Sequence, residues 1–153
     1  MKLSTKGRYG LRAMADLAVY SQDGPVSVQS IASRQELSEK YLEQLFALLK
    51  KAELVTSTRG TLGGYKLARD MELISVGDVL RALEGDLTLV DCTGFEGGCG
   101  ISDACVSKYV WKRMEESLQN TVDSISLKEL VEQSCAQPDP AFMQAESTAD
   151  EQR

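Results

Sequence analysis

Apolar residues first recur at Leu11, Met14, Ala15 and Ala18, the three-and-four spacing of one helix face. Ser4 or Thr5 can cap that helix, which runs out near Tyr20 at the turn QDGPVS, where Gly24-Pro25 breaks the pattern. The segment SVQSIASRQ predicts a short second helix. Ser38 can then cap a third, SEKYLEQLFALLKKAE, in which Leu42, Leu45, Phe46 and Leu49 form a buried stripe. Lys40, Tyr41, Glu43 and Gln44 lie off that stripe, and Lys50 and Lys51 close the helix where its dipole favours cations. Residues 54–56 and 65–67 read as short strands joined by a glycine-rich loop that exposes Arg59. Short helices, a longer helix and a hairpin make a mainly α fold of the winged helix-turn-helix kind over residues 1–70.

The pattern then changes. ISVGDVLRALEG predicts a linking helix, followed by a cysteine-rich loop. Ser102 or Asp103 can cap a long helix through about Asp123, with Val106, Val110, Met114, Leu118 and Val122 at successive i+4 positions and Trp111 and Ile125 beside them. Some twenty helical residues span ~30 Å, more than one small core covers, so the stripe is expected to pack on a second copy as a dimerisation helix. Ser126-Leu-Lys-Glu129 opens a last short helix with a capping-box pattern. Residues 71–135 thus hold the linking helix, the cysteine loop and the dimerisation helix. Residues 136–153, acidic and broken by proline, are expected to form a disordered tail.

Hydrophobic residues make up 42% of the 153, enough for a real core. No apolar run follows the basic start MKLSTKGRYG, and none approaches the ~20 residues needed to cross a bilayer, so the chain reads as soluble and cytoplasmic, with no membrane partner. Its net charge of -6 hides a split. Residues 1–70 carry eleven Lys/Arg against seven Asp/Glu, and residues 71–153 carry six against sixteen. The acidic total therefore does not exclude nucleic acid, because the winged half is basic.

On the third helix Lys40 suits guanine, Gln44 can pair two-pronged with adenine, and Glu43 can accept from the cytosine amine. Arg59 at a hairpin tip suits a narrow minor groove, and Lys2, Lys6 and Arg8 can sit on phosphates. The bland alternative is a solvated helix face with ordinary charges. A dimer would hold two such helices ~34 Å apart and read a near-palindromic operator in double-stranded DNA.

Cys92, Cys99 and Cys105 fall within DCTGFEGGCGISDAC, among four glycines, and the chain has no histidine. The C-x6-C-x5-C spacing is unlike a zinc-finger knuckle. Glycines let backbone N–H groups approach sulfur, as an iron-sulfur cluster requires, and Cys105 in the first turn of the long helix would gain from its dipole. Structural zinc and three idle cytosolic thiols are the alternatives. GTLGG has neither dinucleotide nor Walker spacing, and no histidine base or paired-acid constellation supports an enzyme.

From KLSTKGRYGLRAM through YLEQLF and TRGTLGGYKL to the three cysteines and the helix after them, the chain resembles the IscR-like iron-sulfur cluster regulators among the Rrf-type winged-helix transcription factors. The resemblance implies a homodimeric repressor that ligates a 2Fe-2S cluster through Cys92, Cys99, Cys105 and one further residue, and that controls cluster-assembly genes. It also makes Ser38, Lys40, Tyr41, Glu43 and Gln44 contacts of the recognition helix, and Arg59 with Gly60 contacts of the wing. Such relatives use a histidine three residues past the last cysteine, where this chain has Lys108, and the first cysteine gap here is one residue longer. Cys135 and an oxygen ligand (Asp91, Glu96, Asp103 or Ser107) remain as candidates, with Lys108 a poorer one because a protonated amine offers no lone pair. A nitric-oxide or redox sensor of the same family and an iron-sulfur carrier are competing functions.

Overall fold

The computed structural model describes residues 3–91 and 105–136. Six helices and one hairpin follow in order: α1 (Thr5–Tyr20), α2 (Val28–Gln35), α3 (Glu39–Lys51), β1 (Val55–Thr58), β2 (Gly64–Leu67), α4 (Val76–Glu84), α5 (Val106–Ser124) and α6 (Leu127–Ala136). A 3-10 turn, Met71–Leu73, precedes α4. The strands pair antiparallel, from Val55 opposite Leu67 to Thr58 opposite Gly64. This is the winged helix-turn-helix that the sequence predicts, with α2 and α3 as the turn motif and the hairpin as the wing.

Serines start the first four helices. The side chains of Ser4, Ser27 and Ser38 accept from Lys6, Ser30 and Tyr41 backbone N–H groups, and Ser75 forms a reciprocal capping box with Asp78. At the other end, Glu36 and Glu53 take positive φ of 55° and 60°, which stops α2 and ends α3 at Lys51 rather than Glu53. The stripe of α3 is buried as expected and joins Met14, Leu17, Ile31, Leu54, Ile74, Val79, Leu83 and Leu127 in one cluster. That cluster runs across residue 70 without a break, so α4 and α6 share the core of the winged unit.

Helix α1 is buried on more than one side, because α4 lies close against the face opposite α2. Gly7 and Gly10 make this approach possible. A Cβ at Gly10 would come within 2.0 Å of Leu83 Cδ1, and one at Gly7 within 2.7 Å of Glu84 Oε1. Glu84 Oε1, at the end of α4, accepts from Ser4 N–H at 3.0 Å, Ser4 hydroxyl at 2.5 Å and Gly7 N–H at 2.9 Å, so it occupies the open N-terminus of α1. Burial works against its charge, but the Ser4 hydroxyl, the Gly7 and Ser4 N–H groups and Lys6 outweigh it and hold the carboxyl below its ordinary range.

A second polar junction sets α1 against α2. Asp16 is 0% exposed. It accepts from Arg34 Nε at 2.9 Å and Nη2 at 2.6 Å, and from Gln35 Nε2 at 2.9 Å. The Arg34 guanidinium also lies 3.9 Å from the Tyr20 ring centre. Arg12 completes the junction by donating to the Gln35 carbonyl at 3.1 Å and its side-chain oxygen at 3.2 Å.

Helix α5 departs from expectation at both ends of its stripe. Its N-cap is Cys105, with no side-chain cap bond, rather than Ser102 or Asp103. The i+4 series also does not share one face. Each i+4 step overshoots a full turn by ~40°, so four steps rotate the series by about 160°. Val122 is accordingly buried with Val76, Leu80 and Leu87, and Leu118 and Ile125 pack beside them. Val106, Val110 and Met114 are 86%, 46% and 49% exposed. Arg81 joins α4 to α5 by donating to Asp123 at 2.5 Å. Helix α6 packs on α1 and the 3-10 turn, with Leu127 N–H bonded to the Ile74 carbonyl at 2.8 Å.

Two outcomes test these junctions. Asp16→Ala should destabilise the fold by about 3 kcal/mol, the low end for a broken buried pair, because Arg34 keeps partial access to water. A denaturant melt showing a loss below about 1 kcal/mol would mean the pair does not organise α1 and α2. Glu84→Ala should cost about 1 kcal/mol at neutral pH, as a lost cap does. A carboxylate held below its usual range stabilises the fold above its unfolded pKa, and that stabilisation fades as pH falls through the folded value. Melts in strong acid should therefore bring variant and wild type together, and an equal gap at both pH values would contradict the capping role.

Candidate nucleic-acid interface and cysteine site

The reading face is built from the outer side of α3. Because Leu42, Leu45, Phe46 and Leu49 point inward, helical spacing leaves Ser38, Lys40, Glu43 and Gln44 exposed in the first two turns. These include the three base-reading candidates, Lys40, Glu43 and Gln44, now side by side on a convex surface. Tyr41 differs from them. It is half-buried, its hydroxyl lies 3.1 Å from that of Thr5, and its ring meets Tyr9 edge-on at 6.2 Å. Tyr41 therefore ties the start of α3 to the start of α1.

Lys6 and Arg8 stand exposed on the first turn of α1, on the same end of the molecule as Tyr41. Lys2 lies outside the described residues. The wing is fixed to the body by Val26 and Tyr65, which exchange both backbone bonds at 2.8 Å, and Phe46 stacks on Tyr65 at 4.8 Å. Lys50 near the end of α3 donates to Ser57 of β1 at 2.6 Å. Arg59 and Gly60 are exposed at the wing tip, and Gly60 takes a φ of 109° that a side chain would resist. The start of α1 is thus tied to the start of α3, and the wing to the end of α3, by contacts that the sequence does not announce.

Of the cysteine site, Cys105 is described and exposed, whereas Cys92, Cys99, Glu96 and Asp103 lie outside the described residues. The Ser107 hydroxyl, 3.0 Å from Cys105 Sγ, lowers the thiol's pKa most, followed by the Lys108 and Ser107 N–H groups of the helix start and the Lys108 charge. A thiol at a helix N-terminus that receives such donors is suited to being a thiolate, the form that binds metal. Lys108 is half-buried in this turn and contributes through its backbone and charge. Asp91 is exposed where the described chain enters the loop. Cys135 is an exposed thiol on the last turn of α6. Among the described residues, no three thiol or carboxylate side chains converge on a metal position.

Four residues with clear roles were not singled out in the sequence. Glu84 and the Asp16–Arg34 pair are described above. The fourth is Glu115, a buried acid in mid-α5 that accepts from Leu89 N–H at 2.7 Å, so it fixes the strand of chain that leads into Cys92. An acid in the middle of a helix has no sequence signature for such a bond. Gly7 and Gly10, three apart on one face of α1, were the available signal for close helix packing.

No helix among the described residues is long and apolar enough to cross a membrane. The family model of Rrf2, described as an iron-dependent transcriptional regulator, matches residues 3–133. The chain is 43% identical over 137 residues to a putative HTH-type transcriptional regulator, ORF2, of Azotobacter vinelandii, covering 90% of this chain and 83% of that one. It is 44% identical over 131 residues to the HTH-type transcriptional regulator IscR of Yersinia enterocolitica, covering 86% and 79%. Among solved structures, T. potens IscR is similar with a TM-score of 0.72 at 46% identity over 94% of this chain and 96% of that one. CymR, the global cysteine regulator of B. subtilis, gives a TM-score of 0.72 at 39% identity over 86% and 97%. With the exposed recognition helix and wing in place, this chain belongs to the Rrf2 family and is a DNA-binding transcriptional regulator of the IscR type rather than an enzyme.

Proposed function

We propose that this regulator is a homodimeric repressor that carries a 2Fe-2S cluster and changes its hold on the operators of cluster-assembly genes when the cluster is lost. The observation that carries this reading is Cys105, an exposed thiol with a lowered pKa at the open N-terminus of α5, on a helix bonded through Arg81 to the α4 segment that caps α1. Cys92, Cys99 and Cys105 would hold the cluster, with an oxygen donor such as Asp91 or Ser107, or else Cys135, as the fourth ligand. When bound, the cluster supplies a redox-active centre that oxidants and iron shortage can dismantle.

The chain's own residues do the rest. Residues 1–70 act as the reading head and residues 71–135 as the sensing and dimerising arm. Glu115 holds the entry to the cysteine loop on α5, and Arg81 holds α5 on α4. Glu84 and Leu83 then hold α4 on α1, which carries α3 through Tyr41. A change in the loop therefore biases a continuous set of contacts that ends at the recognition helix. The exposed upper face of α5, from Val106 to Met114, is where the second copy packs, and the pair reads a near-palindrome in double-stranded DNA.

The likeness to the cysteine regulator CymR favours a second reading, in which operator occupancy follows sulfur status with no cluster. Protein purified anaerobically separates the two. The first reading expects visible colour that Cys105→Ser removes, and an operator affinity that changes on cluster removal. Colourless protein, or identical footprints with and without the cluster, would favour the second. Cys135→Ala and Lys108→Ala spectra that both match wild type leave an oxygen donor or the partner chain as the source of the fourth ligand.

The reading head has its own test in operator titrations over a range of salt. Gln44→Ala should weaken binding by about 1–3 kcal/mol and relax the preference at one base pair. Arg59→Ala should lower the slope of log affinity against log salt by about 0.9 if the guanidinium neutralises one phosphate. Unchanged affinity and slope in both variants would contradict this placement of the DNA.

A further inference from the structure

Leu62, at the tip of the wing, is 89% exposed. It occupies the apex of a four-residue turn closed by Gly63 N–H donating to the Gly60 carbonyl at 3.0 Å, with Thr61 and Leu62 as the central pair. The backbone after the apex packs too closely on the body for any residue but glycine. A Cβ at Gly63 would fall 2.2 Å from the Thr58 carbonyl oxygen, and one at Gly64 would fall 2.3 Å from that of Val26. The turn therefore holds its apex away from the body, with Val26 and Tyr65 anchoring the base.

Arg59 stands exposed immediately before this turn, and Lys66 is exposed on β2 after it. A cationic hairpin with an apolar apex is a combination suited to a groove whose walls are sugars and whose potential is negative. Scattered exposed leucines elsewhere need no explanation. This one is carried by its turn wherever the Arg59 guanidinium goes.

We propose that Leu62 is a further DNA contact, an apolar side chain that enters the minor groove beside Arg59 and favours easily unstacked pyrimidine–purine steps at that position. The proposal rests on the DNA reading of the wing. Its test uses the full chain, a duplex selected by the wild type from a random pool, and a second duplex with a TA step at the wing position changed to AA. Leu62→Ala should weaken binding to the first duplex by about tenfold, the scale of burying one leucine side chain. It should leave the salt slope unaltered, because no phosphate contact is lost. It should also reduce the preference between the two duplexes, whereas Arg59→Ala should lower the slope. Binding of Leu62→Ala within twofold of wild type on both duplexes would overturn the proposal. So would normal binding with lost repression in a purified transcription assay, which would assign Leu62 to a protein partner. A wild type that selects no duplex would overturn the DNA reading itself, an outcome distinct from either.

Discussion

Helix α4 can lie directly on α1 because Gly7 and Gly10 present no side chains there, and Glu84 then reaches the free N–H groups that open α1. Unmet donors at a helix start, a carboxylate and a glycine face come together here. With a bulkier residue at position 10, the Leu83 side chain would have to shift from this face. The same contact places α5 and α6, because Val76 and Leu80 of α4 take in Val122, and Ile74 before α4 binds Leu127. The winged unit and the cysteine-bearing arm are consequently parts of one packed body.

This has a consequence for regulation. Here the path from Cys105 to the recognition helix consists of packed side chains and bonds of 2.5–3.1 Å through Asp123, Arg81, Glu84, Ser4, Gly7 and the Tyr41–Thr5 contact. Close-packed elements respond to strain by changing between discrete arrangements rather than by bending smoothly. Strain at the start of α5 would accordingly reach the helix-turn-helix as a shift of α4 on α1.

The helix-turn-helix was legible because its signals are local. Serine caps, the 3.6-residue stripe of α3 and the glycine-rich wing each act within a few residues, and strand and helix ends fell within two residues of expectation. The exposed trio Lys40, Glu43 and Gln44 was legible for the same reason, since burying one helix face fixes the other. Tyr41 was less so. An off-stripe tyrosine looks like a surface residue until Thr5 and Tyr9, thirty or more positions away, are brought to it. On α5 the even i+4 spacing was misleading, because a helix turns 100° per residue and the stripe winds from a free face to a buried one.

The sequence by itself determined which segments are helices, which face of α3 is free, that a wing follows it, and that the thiols cluster after α4, all from interactions between near neighbours along the chain. Only the tertiary structure decided that Asp16 is paired with Arg34, that Glu84 caps α1 across eighty residues, that Glu115 holds Leu89, and that α5 divides into a covered end and an open one. Those choices depend on distances between elements, and a chain's local pattern carries no record of which elements will meet.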